Sequence, residues 1–150
     1  MLLERTDPDN HDYIALVELL DAELRVRDGE EHEFYAAINK ASAISNVVVA
    51  YEGITAVGCG AIKDYGSGTA EIKRMYVVES RRGRGIATAI LHELEKWAGE
   101  LNYQKCILET GKNQPEAISL YKKSNWQVIP NYGQYEGCEN SVCFEKAIVR

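Results

Sequence analysis

The densest chemistry in the chain lies in Met75-Tyr76-Val77-Val78-Glu79-Ser80-Arg81-Arg82-Gly83-Arg84-Gly85-Ile86-Ala87. Three arginines and two glycines stand there between an apolar run and a long amphipathic stretch. The pattern predicts a strand, a tight turn and the first turn of a helix. First-turn amides have no partners inside their helix and sit at the positive end of its dipole. Glycine lets such a backbone approach a phosphate closely, and arginine adds charge and forked donors. The segment reads as a phosphate cradle, against the plainer reading of a solvated basic turn. Two other phosphate motifs fail. Gly-x-x-x-x-Gly-Lys-Ser/Thr is absent, and the third glycine of Gly-x-Gly-x-x-Gly would fall on Thr88.

The elements that must position this turn follow from periodicity. A short strand is expected at 2–5, then a helix from 9 to 28 carrying Tyr13, Leu16, Val17, Leu20 and Leu24, capped by Asp7 or Asp9. A second, acidic helix spans 30–40. Strands follow at 46–51, 54–63 and 69–78, joined by turns at Glu52-Gly53 and at 64–68, which makes an antiparallel meander. The helix after the cradle spans 84–101, with Ile86, Ile90, Leu94, Trp97 and Leu101 as one apolar stripe. A strand at 105–109, a helix at 115–124 and strands at 126–129 and 141–148 complete the chain. The fold class is mixed α/β with a largely antiparallel sheet of six to seven strands, in one domain over 1–150.

Composition narrows the function. The 150 residues carry a formal charge of −6, and such a surface repels nucleic-acid phosphates while mildly favouring cationic partners. None of Cys59, Cys106, Cys138 and Cys143 forms a CxxC pair or lies at ligand spacing from a His, so no metal is expected. Cys59 and Cys106 sit in apolar runs and read as buried thiols. No apolar run reaches the ~20 residues of a membrane span, and no basic flank with an apolar core follows Met1. A reduced, cytoplasmic setting without membrane contact is the expectation.

Two motifs together carry a resemblance. Arg82-Gly83-Arg84-Gly85-Ile86-Ala87 resembles the Arg/Gln-x-x-Gly-x-Gly/Ala signature of the GNAT N-acetyltransferase superfamily, with Met75-Tyr76-Val77 where that family has a Leu-Tyr-Val strand end. Downstream, the stretch from Gln114-Pro115-Glu116-Ala117 through Leu120-Tyr121 to Asn125-Trp126 is similar to the family's Asn-x-x-Ala-x-x-Leu-Tyr-x-x-x-Gly-Phe. The order of elements matches over nearly the whole chain. Gln114 in place of Asn, and Asn125-Trp126 in place of Gly-Phe, are departures. They leave open whether Asn113 or Gln114 meets the cofactor.

The resemblance implies an acetyl-coenzyme A-dependent N-acetyltransferase with a splay between its fourth and fifth strands. The amides of Gly83, Arg84, Gly85, Ile86 and Ala87, with Arg82, would hold the pyrophosphate. Tyr76, Val77 and Val78 would offer main-chain groups to the pantetheine arm and an amide to the thioester carbonyl. Tyr121 would protonate the leaving thiolate. Glu71, eleven residues before Arg82, stands where one branch of the family has its base. By the two-residue period it shares a face with Lys73 and Met75, so an ion pair with Lys73 is the alternative. Arg25, Arg27, Tyr132 and Tyr135 are candidates for acceptor contacts. The expected acceptor is a small-molecule amine or amino acid, with a protein lysine or N-terminus second and a non-catalytic acetyl-coenzyme A sensor as the alternative class. Homodimers, common in that family, are one expected assembly, although no segment marks an interface.

Overall fold

The structure, a computed structural model, describes residues 1–41 and 43–148, with side chains at all of these except 32 and 39–41. Strand β1 (Leu2–Thr6) leads into helices α1 (His11–Asp28) and α2 (His32–Ala41). Strands β2 (Ile44–Glu52), β3 (Thr55–Gly66) and β4 (Thr69–Val77) form the meander, followed by helix α3 (Ile86–Glu100). Strand β5 (Lys105–Gly111), helix α4 (Pro115–Lys123) and strands β6 (Gln127–Ile129) and β7 (Ser141–Ala147) complete the order. The seven strands make one sheet in the order β1-β2-β3-β4-β5-β7-β6. Every pairing is antiparallel except β4 with β5.

Both faces of the sheet centre are covered, which is why β2 reads as a continuous apolar run. Val48 and Ala50 point to one side, with Ile62, Ile72, Leu108 and Phe144, under Ile86, Ile90, Leu91 and Leu94 of α3. Val47 and Val49 point to the other, with Cys59 and Ala61, under Tyr13 and Leu16 of α1. Each fully buried aliphatic side chain in these layers contributes about 1.5–3 kcal/mol. Gly58 and Gly60 let α3 lie close to the sheet: a Cβ on Gly60 would stand 2.7 Å from Leu94 Cδ1.

Two features shape the cleft. The β4–β5 pairing covers only Thr69↔Lys105, Ala70↔Cys106 and Glu71↔Ile107. Beyond Glu71 the two strands diverge, which confirms the splay. Arg74 has φ 58°, and the β3–β4 register slips between Cys59 and Ala61. This bulge reverses the inside–outside alternation of β4. Glu71 and Lys73 share a face, as expected. Met75 does not join them, for its sulfur packs at the α3 face beside Gly60, Ile90 and Leu94.

Some expected boundaries shift for identifiable reasons. Asn10, not Asp7 or Asp9, caps α1: its Oδ1 accepts from the Tyr13 amide at 2.9 Å. Asp7 instead closes a turn by accepting from the Asp9 amide at 2.8 Å. A 3-10 turn at Gly29–Glu31 delays α2 to His32. Helix α3 starts at Ile86 rather than at 84, because Gly85 is its N-cap and has φ 80°. On α3, Leu91 and Ala98 are buried with Ile86, Ile90 and Leu94, while Leu101 is 42% exposed. Trp97 is only part-buried against the core, with the Arg5 guanidinium 5.0 Å from its ring.

Candidate functional site

A cleft of about 500 Å³ runs along the splay, from the cradle between α3 and α4 to a chamber under α1 and α2. At its cradle end Gly83 and Gly85 both have φ 80°, a left-handed conformation that favours glycine. A Cβ at either would meet nothing within 4 Å, so the space over the turn is open. The first α3 amide bonded into the helix is Ala89, to the Gly85 carbonyl at 3.0 Å. The amides from 83 to 88 have no acceptor among the described residues. The sequence thus supplies six unspent donors, and Gly83, Gly85, Ile86, Ala87 and Thr88 among their residues line the cleft.

Arg82 is positioned by three groups. Its Nε donates to the Val77 carbonyl at 2.8 Å, and its other two nitrogens donate to both oxygens of Glu23 at 2.9 and 3.0 Å. Its guanidinium lies 5.5 Å from the Tyr76 ring. Arg82 therefore meets the cleft as a paired cation. Arg27 continues the chain of charges: it lies 3.8 Å from Glu23 and ion-pairs with Glu116 at the start of α4. Asn113 and Gln114 both line the cleft beside Gly111.

The β4 edge decides which amides face the splay. Of the main-chain groups expected from Tyr76 to Val78, the Val78 amide is engaged within the sheet, donating to the Val57 carbonyl of β3 at 2.9 Å. Strand peptides alternate direction, and the Val77 carbonyl already points to Arg82 on the splay side. The Val77 amide therefore faces the cleft.

Tyr121 lines the same cleft and is buried, packed against Trp126 and Phe144 with ring centroids 6.0 and 5.6 Å away. Its hydroxyl has no hydrogen-bond partner among the described residues. Burial, with Glu109 nearby, holds its pKa well above the usual tyrosine value.

The chamber end collects charges the sequence did not bring together. Glu109 of β5 lines the main cleft. Ser141 Oγ donates to it at 2.8 Å and lies 2.9 Å from the Tyr35 hydroxyl of α2. Burial lifts the Glu109 carboxyl to about 7, with Ser141 and Lys73 opposing the rise. Lys73 is 8% exposed and donates to the Tyr135 hydroxyl at 3.2 Å. Burial lowers its pKa, partly offset by Glu71 and Glu109.

Glu71 is 3% exposed but lines a separate, smaller cavity of about 160 Å³. It accepts from the Tyr132 hydroxyl at 2.5 Å and lies 3.9 Å from Lys63, so its ion-pair partner is Lys63 rather than Lys73. Tyr135 lines both cavities and Tyr132 only the smaller. Arg25 is exposed and Arg84 is exposed, and neither lines the cleft. No motif pointed to Glu109. Its only trace in the sequence is a carboxylate inside an apolar strand, in phase with Ile107 and so on the face that Glu71 shares. Among the described residues no cluster of His, Cys, Asp and Glu is suited to a metal, and no helix is long and apolar enough to cross a membrane.

Comparison with known proteins adds an independent line. The model of the acetyltransferase (GNAT) family matches residues 13–126. An IAA acetyltransferase of Azospirillum brasilense is 30% identical over 148 residues, covering 97% of each chain. A presumed acyl-CoA N-acyltransferase from Klebsiella pneumoniae superposes with a TM-score of 0.82 at 27% identity, over 99% of this chain and 97% of that one. The PaiA N-acetyltransferase of Thermoplasma acidophilum, solved with coenzyme A, gives 0.73 at 18% identity over 98% and 99% of the two chains. With its family model covering most of the chain and a relative aligned almost end to end, this protein belongs to the GNAT family of acetyltransferases.

Proposed function

We propose that this acyltransferase moves an acetyl group from acetyl-coenzyme A to the amine of a small molecule or amino acid, by direct attack while both substrates are bound. The observation that carries the reading is the row of unspent amides at 83–88, opening onto a splayed strand edge. A diphosphate meets open donors, glycine main chain and the end of a helix dipole there. The fit is chemical as well as steric, since no side chain crosses the space above Gly83 and Gly85. Acetyl-coenzyme A, when bound, supplies an activated acyl carbon on a thiol leaving group.

The chain's own groups divide the remaining work. The Val77 amide, directed into the splay, donates to the oxygen that gains charge as the amine attacks. Glu109 takes the amine's proton, since a carboxyl lifted to about 7 is poised to accept one near neutral pH. Tyr121 gives its proton to the sulfur as the C–S bond breaks, and its high pKa keeps that proton in place until then. Glu71 lies behind Tyr132 in the smaller cavity and positions that ring. The relative from Azospirillum brasilense, named for IAA, supports a small-molecule acceptor.

The test pairs calorimetry with thiol release from acetyl-coenzyme A across a panel of amines. Gly85→Glu places bulk and negative charge in the cradle, and it should abolish coenzyme A binding while leaving the far-ultraviolet spectrum unchanged. Retained affinity in that variant would remove the cradle from the reading. Binding without thiol release from any amine would instead leave a cofactor sensor.

A further inference from the structure

Lys73 is a buried cation with donors to spare. It is 8% exposed and lines both the main cleft and the smaller cavity. Of its three N–H groups, one donates to the Tyr135 hydroxyl at 3.2 Å. Among the described residues no carboxylate lies within 4.0 Å of it. Its two acidic neighbours are engaged elsewhere: Glu71 accepts from Tyr132, and Glu109 accepts from Ser141. An ammonium taken out of water without an anion is costly, and burial does lower the pKa of this one. Tyr135 completes the geometry. Its oxygen accepts from Lys73, which leaves its own proton free to donate. Its ring is fixed between Tyr35, stacked at 6.5 Å, and Tyr132, edge-on at 5.6 Å.

We propose that Lys73 and Tyr135 form a carboxylate subsite, so that the acceptor is an amine that also bears a carboxylate, of the amino-acid class. The inference rests on the acetyl-transfer reading and narrows its acceptor. The two ends of such a molecule match the chamber. Extending the β4–β5 register two residues past Glu71↔Ile107 sets Lys73 opposite Glu109 across the splay. A carboxylate on Lys73 and Tyr135 therefore leaves the amine on the Glu109 side, where the thioester must arrive. The nitrogen bonds to the acyl carbon as the C–S bond breaks. The amine proton passes to Glu109 and the thiolate takes one from Tyr121, giving an N-acetylamino acid and the free thiol. The smaller cavity behind Lys73, about 160 Å³, gives room for a short side chain.

The experiment uses amino acids and their carboxamides as matched acceptors, by calorimetry on protein saturated with coenzyme A and by thiol release from acetyl-coenzyme A. Wild type should favour each acid over its amide by about 10- to 100-fold, the worth of charge-assisted hydrogen bonds. Lys73→Met should remove that preference by weakening the acids and sparing the amides, with coenzyme A affinity unchanged. Lys73→Gln replaces it if the methionine variant fails to fold, and Lys73→Arg should restore part of the preference. Equal handling of acids and amides by wild type overturns the proposal, as does an equal loss for both in Lys73→Met. Acids bound through Lys73 without any thiol release would support the subsite and overturn acetyl transfer.

Discussion

Glu109 illustrates how one environment sets both a rate and a stability. Its carboxyl lies in the cleft under α2, with a single hydrogen bond from Ser141 and no cation within ion-pair distance among the described residues. Burial lifts its pKa from 4.5 to about 7. As the proposed proton acceptor it must be ionised, so kcat/KM should rise with pH through about 7. Glu109→Gln should erase that acidic limb and cost about a hundredfold or more in rate. Glu71→Gln should leave the limb in place, because Glu71 faces the other cavity. A limb lost in Glu71→Gln and kept in Glu109→Gln would reverse the assignment. The same shift acts on folding. A carboxyl whose folded pKa is raised stabilises the fold below pH 4.5, and that contribution is lost as pH rises through about 7. Denaturant midpoints of ligand-free wild type should therefore fall across that window relative to Glu109→Gln.

At the scale of elements, β3 and β4 determine whether α3 can reach the cradle. A Cβ on Gly60 would press the ends of side chains, 2.6 Å from Met75 Sδ and 2.9 Å from Ile90 Cγ2. One on Gly58 would stand 2.9 Å from the Tyr76 carbonyl oxygen, which is main chain. Gly60→Ala can be absorbed by rotamer changes, whereas Gly58→Ala must move the β4 edge beside Val77. Both should destabilise, by about 1–3 kcal/mol. Only Gly58→Ala should also depress turnover of the remaining folded protein; equal kinetics in the two variants would show that the edge tolerates displacement. These glycines also mark where sequence reasoning stopped. The glycine turn before α3, the meander and the helices were legible because glycine spacing and apolar periodicity are local signals. The reversal of faces after Arg74 was not, since a non-glycine residue with φ 58° leaves no mark in composition. Met75 was placed on the wrong face for that reason. Glu109 was missed because its surroundings come from β7 and α2, far along the chain.

Over the whole molecule, the sheet is two halves, β1–β4 and β5–β7–β6, zipped by three residue pairs. The first two helices strap them together across the open side. Arg27 of α1 pairs with Glu116 of α4, and Tyr35 of α2 meets Ser141 of β7. Asn140 donates to Glu31 at 2.8 Å, just before α2. Glu23 is the centre of this strap at the cradle, where its carboxylate occupies both forks of Arg82. On the proposed reading, a diphosphate settling on the cradle would compete with that carboxylate for the same guanidinium. Partly exposed pairs of this kind contribute about 0–1 kcal/mol to stability, so the strap yields at small cost. Glu23→Gln should therefore lower the ligand-free melting temperature slightly and tighten coenzyme A roughly three- to tenfold, about 1 kcal/mol. The gain should shrink in high salt, because it comes from an uncovered charge. Weaker binding in Glu23→Gln would mean that the carboxylate aims Arg82 at the phosphates rather than competing with them, and the strap would then be part of the cradle.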